Sequence, residues 1–330
     1  MQMKTKVLGV GYCLPDKILS NHDLEKMVDT DNEWIIERTG IRERRIVEPG
    51  GKNSDLSVEA ARRALQDAKI DPLQLDLIIL ATASPDMPFP STACIVQALL
   101  GAKNAAAFDL AAGCTGFVYA LTVAEKFLLS PEVNNILVIG CDVVSSVIDY
   151  TDRNTCILFG DGAGAMVLGK SEGECGILST SIGADGTGAG LLYMPAGGSA
   201  LPATHETVEK RLHYLRMNGN EIFKFATKIV AQTTAELLSK AGLTYDDIDL
   251  FVPHQANLRI IQSAMRRMKL PPEKVAINLD LCGNISAGSI PVALAQHNEK
   301  HPIKNGANIL MVAFGTGLTY GGAILRWGRD

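Results

Sequence analysis

Leu75-Asp-Leu-Ile-Ile-Leu-Ala81 is an apolar stretch of strand length, and 173 residues later Ile248-Asp-Leu-Phe-Val-Pro-His254 repeats its pattern. A run this short, bounded by turn residues, reads as a buried strand. The same offset relates Ile136-Leu-Val-Ile139 to Ile309-Leu-Met-Val312. Gly113-Cys114 matches Gly283-Asn284 at an offset of 170, and Phe159-Gly-Asp-Gly162 matches Phe314-Gly-Thr-Gly317 at 155. The drop from 173 to 155 leaves 18 extra residues in the first half, between Gly140 and Phe159. Four landmarks in one order predict a duplicated chain with halves at 1–172 and 173–330.

Helical patterns separate the strands, with apolar residues at helical spacing over Ser57–Ala68, Thr92–Leu100, Thr115–Leu129 and Ala226–Ala241. Strands alternating with helices imply an α/β fold: mixed, mostly parallel sheets, helix layers, and two halves on a pseudo-two-fold axis. In open α/β sheets ligands sit at the carboxyl ends of strands. Cys114, His254, Asn284 and Gly315–Gly317 all fall at predicted strand ends.

The 330 residues, 47% hydrophobic with 31 glycines, suit one large or two medium α/β domains with tight turns. A net charge of -5 without a long run of one sign argues against a nucleic-acid partner, yet leaves room for a local basic mouth toward an acidic one. Seven cysteines form no C-x-x-C pair and no metal-type spacing with histidine. No apolar run reaches the roughly 18 residues of a membrane span, and Met-Gln-Met-Lys-Thr-Lys is no signal segment. These features predict a metal-free protein of the reduced cytoplasm, off the membrane.

Cys114 lies in Phe108-Asp-Leu-Ala-Ala-Gly-Cys-Thr-Gly-Phe117, where a strand runs into a helix. Unpaired N–H groups and the positive end of a helix favour thiolate over thiol, which makes a nucleophile. By itself the residue reads equally well as a small core hydrophobe. His254 follows Pro253, which stops its strand and presents the imidazole from a turn, and Asn284 reads as the counterpart of Cys114 in the other half. A Cys–His–Asn set serves two chemistries. In a papain-like protease the histidine deprotonates the cysteine; in a decarboxylating condensation both partners donate to a carbonyl that becomes an enolate. The protease's local cysteine signature is missing. Thr316 N–H, in the last glycine turn, is placed to bind an oxyanion. Trp34 and Arg38, four apart on one helix face, form an ordinary cation–π pair or clamp a nucleotide base. Gly183-Ala-Asp-Gly-Thr-Gly-Ala-Gly190 opens no helix, which argues against a dinucleotide site.

Taken together, Gly-Cys114-Thr-Gly-Phe, Pro-His254-Gln-Ala-Asn257, Gly-Asn284-Ile-Ser-Ala-Gly-Ser-Ile-Pro, Glu-Trp34-Ile-x-x-Arg38-Thr-Gly-Ile-Arg and Phe159-Gly-Asp-Gly-Ala-Gly-Ala resemble β-ketoacyl-acyl carrier protein synthase III over nearly the whole chain. The resemblance implies a duplicated thiolase fold and a homodimer of the bacterial cytosol or plastid. It implies condensation of a short acyl-CoA, typically acetyl-CoA, with malonyl-acyl carrier protein, with no cofactor beyond the coenzyme A thioester itself. By motif, Cys114 would carry the acyl group, His254 and Asn284 would hold the malonyl carbonyl, and the N–H groups of Cys114 and Thr316 would form the oxyanion hole. Trp34 and Arg153 would sandwich the adenine, with Arg38 near the phosphates and Asn220, Phe223 and Asn257 along the pantetheine. Phe89 would close the acyl pocket of the other protomer, and Gln255 and Arg259 would meet the carrier protein. Thr316 departs from the pattern, standing where a third glycine is expected. A related acyltransferase of secondary metabolism is the alternative.

Overall fold

The computed structural model describes residues 4–328, so the Met-Gln-Met opening used above lies outside the described residues. One sheet holds β1 (Lys4–Cys13), β2 (Leu77–Ala81), β3 (Ala106–Leu110), β4 (Asn135–Val143) and β5 (Asp161–Ser171), in the spatial order β1-β5-β4-β2-β3. The other holds β6 (Gly176–Ala184), β7 (Leu250–Pro253), β8 (Asn308–Gly315) and β9 (Thr319–Arg326), in the order β6-β9-β8-β7. The second order repeats the first four strands of the first. Only β3 lacks a full counterpart, its place being taken by Val275, which makes a single parallel bridge to Phe251.

Both sheets are mixed. Parallel pairs β2–β3, β2–β4 and β7–β8 lie on the side that carries the strand-end residues. Antiparallel pairs β4–β5, β1–β5, β8–β9 and β6–β9 make up the rest. The seven longer helices are α1 (Asn32–Thr39), α2 (Asn53–Ala68), α3 (Thr92–Leu100), α4 (Gly116–Phe127), α5 (Gly219–Ala241), α6 (Leu258–Met268) and α7 (Ser289–Lys300). α4 and α7 form the middle layer: Phe117, Leu121 and Ile290, Leu294 pack with Ile79, Val138, Val252 and Met311 of the two sheets in one core. Each such side chain removed from water contributes about 1.5–3 kcal/mol. α2 and α3 cover the outer face of the first sheet, and α5 and α6 that of the second. Close layer contact needs small residues, and at Gly140 the Ala287 carbonyl occupies the space a Cβ would fill.

Strand register tests the repeat. Leu77 pairs with Ile136 and Leu250 with Ile309, so both strand matches keep the offset of 173. A 3-10 turn at Gly113–Thr115 enters α4, and one at Ser286–Gly288 enters α7, again 173 apart. Gly113 has φ +53° and Ser286 has φ +49°, the same left-handed start. Two sequence expectations are thereby corrected. The counterpart of Cys114 is Ala287, while Asn284 corresponds to Ala111; the shared Gly-x pair misled, because the turn geometry and not the glycine sets the register. Likewise Val143 pairs with Asp161 and Gly315 with Thr319, so Phe159 and Phe314 are not equivalent. The first-half insertion, with its short helix Arg153–Cys156, carries Phe159 to its far end, where it bridges Asn284.

Candidate active site

Cys114 sits on the 3-10 turn after β3, only 8% exposed. Gly315 lies against its backbone and leaves it open, since a Cβ there would stand 2.9 Å from the Cys114 nitrogen. The hydroxyl of Thr316 occupies the space a Cβ on Gly113 would need, so Gly113 accommodates the threonine that departs from the expected glycine pattern. Among the described residues the Thr316 N–H has no hydrogen-bond partner. Burial pushes the Cys114 thiol up to about 12; the Ser286 hydroxyl and the residue's own N–H pull it back, and the charge of Asp142 adds to the rise. The expectation of a resting thiolate therefore gives way to a resting thiol: the favourable helix end is outweighed by loss of water.

His254 directly follows β7 and is 3% exposed. Its N–H donates to the Val312 carbonyl at 2.9 Å, and its ring packs edge-on against Phe314 with centroids 5.4 Å apart. Nδ1 is buried without a partner, and burial lowers the imidazole to about 3, so the ring is neutral. A neutral ring donates from one nitrogen only. The Asn284 Oδ1 accepts the Ser286 N–H at 2.9 Å. That bond settles which end of the amide is which: the NH2 is left as a donor.

Cys114, His254 and Asn284 line one cleft of about 240 Å³ with Trp34, Arg38 and Phe223. A second cavity of about 240 Å³ opens on the other side of Cys114, walled by Val144, Leu192 and Leu215 and reached by Thr316. Arg38 and Arg153 stand over the Trp34 ring at 5.4 and 5.2 Å, so the indole is already in contact with two guanidinium groups. Asn257 lines the cleft but serves mainly as a tie: Nδ2 donates to the Arg38 carbonyl and Oδ1 accepts the Arg259 N–H. Asn220 is exposed in the first turn of α5 and lies outside the cleft, whose wall there is Gly219 and Phe223. Phe89 is 84% exposed on its loop, and Arg259 is exposed with its guanidinium over Phe223 at 5.8 Å. Gln255 contradicts its assignment as a docking residue. It is fully buried, donating to the carbonyls of Pro253 and Ala276 and accepting the Asn278 N–H, so no outside partner reaches it.

Family profiles described as "3-Oxoacyl-[acyl-carrier-protein (ACP)] synthase III" and its C-terminal region match residues 108–186 and 238–327. A curated relative named beta-ketoacyl-[acyl-carrier-protein] synthase III, from Syntrophomonas wolfei, is 63% identical over 99% of both chains. One of the same name from Caldanaerobacter subterraneus is 56% identical over 98% of each. The crystal structure of 3-oxoacyl-[acyl-carrier-protein] synthase III from Aquifex aeolicus superposes with a TM-score of 0.90 at 45% identity, covering 98% of this chain and 100% of that one. The chain belongs to the β-ketoacyl-acyl carrier protein synthase III family. As a synthase III it is an acyl-condensing transferase with the thiolase-like fold.

Two residues of this synthase's site escaped the sequence reading. Asp142, 1% exposed, shares the second cavity with Cys114, and Ser286 lies between Cys114 and Asn284. The signal was present in the offset of 173, which pairs Asp142 with Gly315 and Ser286 with Gly113. Among the described residues no group of three or more His, Cys, Asp or Glu side chains could hold a metal ion, and no helix is long and apolar enough to cross a membrane.

Proposed function

We propose that this chain condenses a short acyl-CoA, acetyl-CoA first among them, with malonyl-acyl carrier protein. The products are 3-oxoacyl-acyl carrier protein, CO2 and CoA, the opening condensation of fatty acid synthesis. The observation that carries the reading is the pairing of a buried cysteine with two neutral donors in one cleft. A histidine kept neutral by burial and an amide whose oxygen is already bonded suit the stabilisation of a growing enolate better than the capture of a proton.

In the first half-reaction the Cys114 sulfur adds to the primer carbonyl, and the oxyanion is held by the N–H groups of Cys114 and Thr316. The carbon–sulfur bond to CoA then breaks, and the cysteine's proton leaves on the CoA thiol, which suits a nucleophile that rests as thiol. In the second, the malonyl carbon–carbon bond breaks to release CO2. Its electron pair becomes an enolate held by His254 and Asn284 and then attacks the acyl-cysteine; the carbon–sulfur bond to Cys114 breaks, and the departing thiolate takes up one proton from solvent to regain the resting thiol. Trp34, Arg38, Arg153 and Phe223 would receive the CoA nucleotide and arm, with Asn257 fixing α6 against α1.

The enzyme is proposed to act as a cytoplasmic homodimer of two duplicated halves, 1–172 and 173–330, needing no cofactor. β3 is an unpaired edge strand, which a second copy would cover, and the exposed Phe89 on the neighbouring loop suits a contact across that edge. Exposed Arg259, Arg266, Arg267 and Lys269 on and beside α6 would receive the acidic carrier protein. The deciding experiment separates the half-reactions. His254→Ala and Asn284→Ala should still form the acyl-enzyme from acetyl-CoA but release CO2 from malonyl-acyl carrier protein roughly 10²–10³ times more slowly. Equal loss of both steps would make His254 a base for the cysteine and sink this division of labour.

A further inference from the structure

We propose that Asp142 is a positioning residue of the condensing site, its carboxylate clamping the turn that orients Asn284. Asp142 lies near the end of β4, the central strand of the first sheet, and is 1% exposed. Oδ1 accepts four hydrogen bonds, from the Thr82 hydroxyl at 2.9 Å, the Ala83 N–H at 2.7 Å, and the Ser84 N–H and hydroxyl at 3.0 and 2.8 Å. Oδ2 accepts the Ala287 N–H at 3.2 Å. The residue before Ala287 is Ser286, whose N–H holds the Asn284 oxygen. One carboxylate thus joins the loop after β2 to the turn that aims the asparagine.

Among the described residues no cation pairs with Asp142; five neutral donors surround it instead. A carboxyl group accepts from all of them, whereas an amide would turn its own N–H groups toward at least one donor. The charge of Asp142 faces the Cys114 sulfur across their shared cavity and opposes a second negative charge there.

This inference rests on the proposed role of Asn284, and its test has two readouts of opposite sign. In Asp142→Asn, alkylation of Cys114 by iodoacetamide should shift to lower pH, becoming roughly tenfold faster at a fixed pH near 8. CO2 release from malonyl-acyl carrier protein should fall at least about tenfold, because the asparagine turn loses its clamp. Asp142→Glu keeps the charge but displaces it, so alkylation should stay near wild type while CO2 release still falls. A merely structural Asp142 would slow both processes together and would overturn the proposal, as would no change in either. Should Asp142→Asn fail to fold, Asp142→Glu decides: CO2 release at the wild-type rate in that variant overturns the clamp. Asn284→Ala is the control for the Asn284 reading itself: full CO2 release in that variant would sink that reading, whereas the alkylation arm stands without it.

Discussion

Gly113-Cys114-Thr115 and Ser286-Ala287-Gly288 have the same turn geometry, each entering a twelve-residue helix, yet one carries the proposed nucleophile and the other an alanine in its place. Three exchanges separate them. Cysteine replaces alanine at the centre. Glycine at 315 replaces the aspartate at 142 on the facing strand, so the N–H of Cys114 is left uncovered where that of Ala287 is bound by a carboxylate oxygen. Glycine at 113 replaces Ser286 at the left-handed position, making room for Thr316. The Asp142–Ala287 contact shows what this turn binds: an anionic oxygen sits on the very N–H group whose mate is proposed to bind the oxyanion. The site reads as one copy of the turn with its built-in anion removed.

The most severe test of that comparison moves the nucleophile. Cys114→Ser should lose acyl-enzyme formation from acetyl-CoA, read as the mass of the intact protein, and Cys114→Ser/Ala287→Cys should not regain it, because Asp142 covers the second turn. A restored adduct at 287 would show the two turns to be chemically interchangeable. Next in size is Gly315→Ala. A Cβ there would stand 2.9 Å from the Cys114 nitrogen and Cβ, crowding the N–H that the oxyanion needs. Acylation should drop roughly 10²–10³-fold. Unchanged acylation would remove that N–H from the oxyanion hole.

His254 breaks the repeat in another way, since its counterpart at the end of β2 is Ala81. Its folded value is depressed from 6.5 to about 3 by burial, while the unfolded chain titrates near the ordinary value. The unfolded state therefore binds the extra proton first as pH falls. The contribution to stability is fully present above pH 6.5 and is lost progressively toward pH 3, at up to about 1.4 kcal/mol per pH unit. Urea unfolding of wild type and His254→Gln across this window should show the variant with the shallower loss. Parallel curves would mean the imidazole is not held neutral.

How much was legible follows from what each part of the chain faces. Buried strands and the helix Thr92–Leu100 were read to the residue or nearly so, because their apolar spacing answers to a core on a known side. α5 begins at Gly219, seven residues before its apolar pattern does, since its first turns border the cleft and break that pattern. Cys114, His254 and Asn284 were found from strand-end logic and motif, and the structure brings them into one cleft. The register of the repeat was misread where a glycine in the sequence stood for a conformation: left-handed φ at Ser286 has no glycine to announce it. Gln255 failed for a similar reason, as nothing local distinguishes a polar side chain that faces solvent from one that satisfies three buried backbone groups.

The weakest expected effect concerns the indole of α1 and the insertion that the second half lacks. Trp34 stands on α1, and Arg153 on the insertion that the second half lacks, so the proposed nucleotide contact draws on a residue outside the duplicated frame. Arg153 now rests 5.2 Å over the indole, held by the Asp29 carbonyl at 2.8 Å. A base entering there must displace the guanidinium or stack beyond it, so part of the stacking gain is offset by the lost cation–π contact of about 0.5–1 kcal/mol. Trp34→Ala should raise KM for acetyl-CoA by only about 2- to 10-fold, leave kcat nearly unchanged, and leave KM for acetyl-pantetheine where it was. Equal losses on both substrates would show that the indole supports α1 against the insertion and does not read the nucleotide. A much larger loss on acetyl-CoA alone would mean that the base takes the full indole face, with Arg153 moved to its outer side.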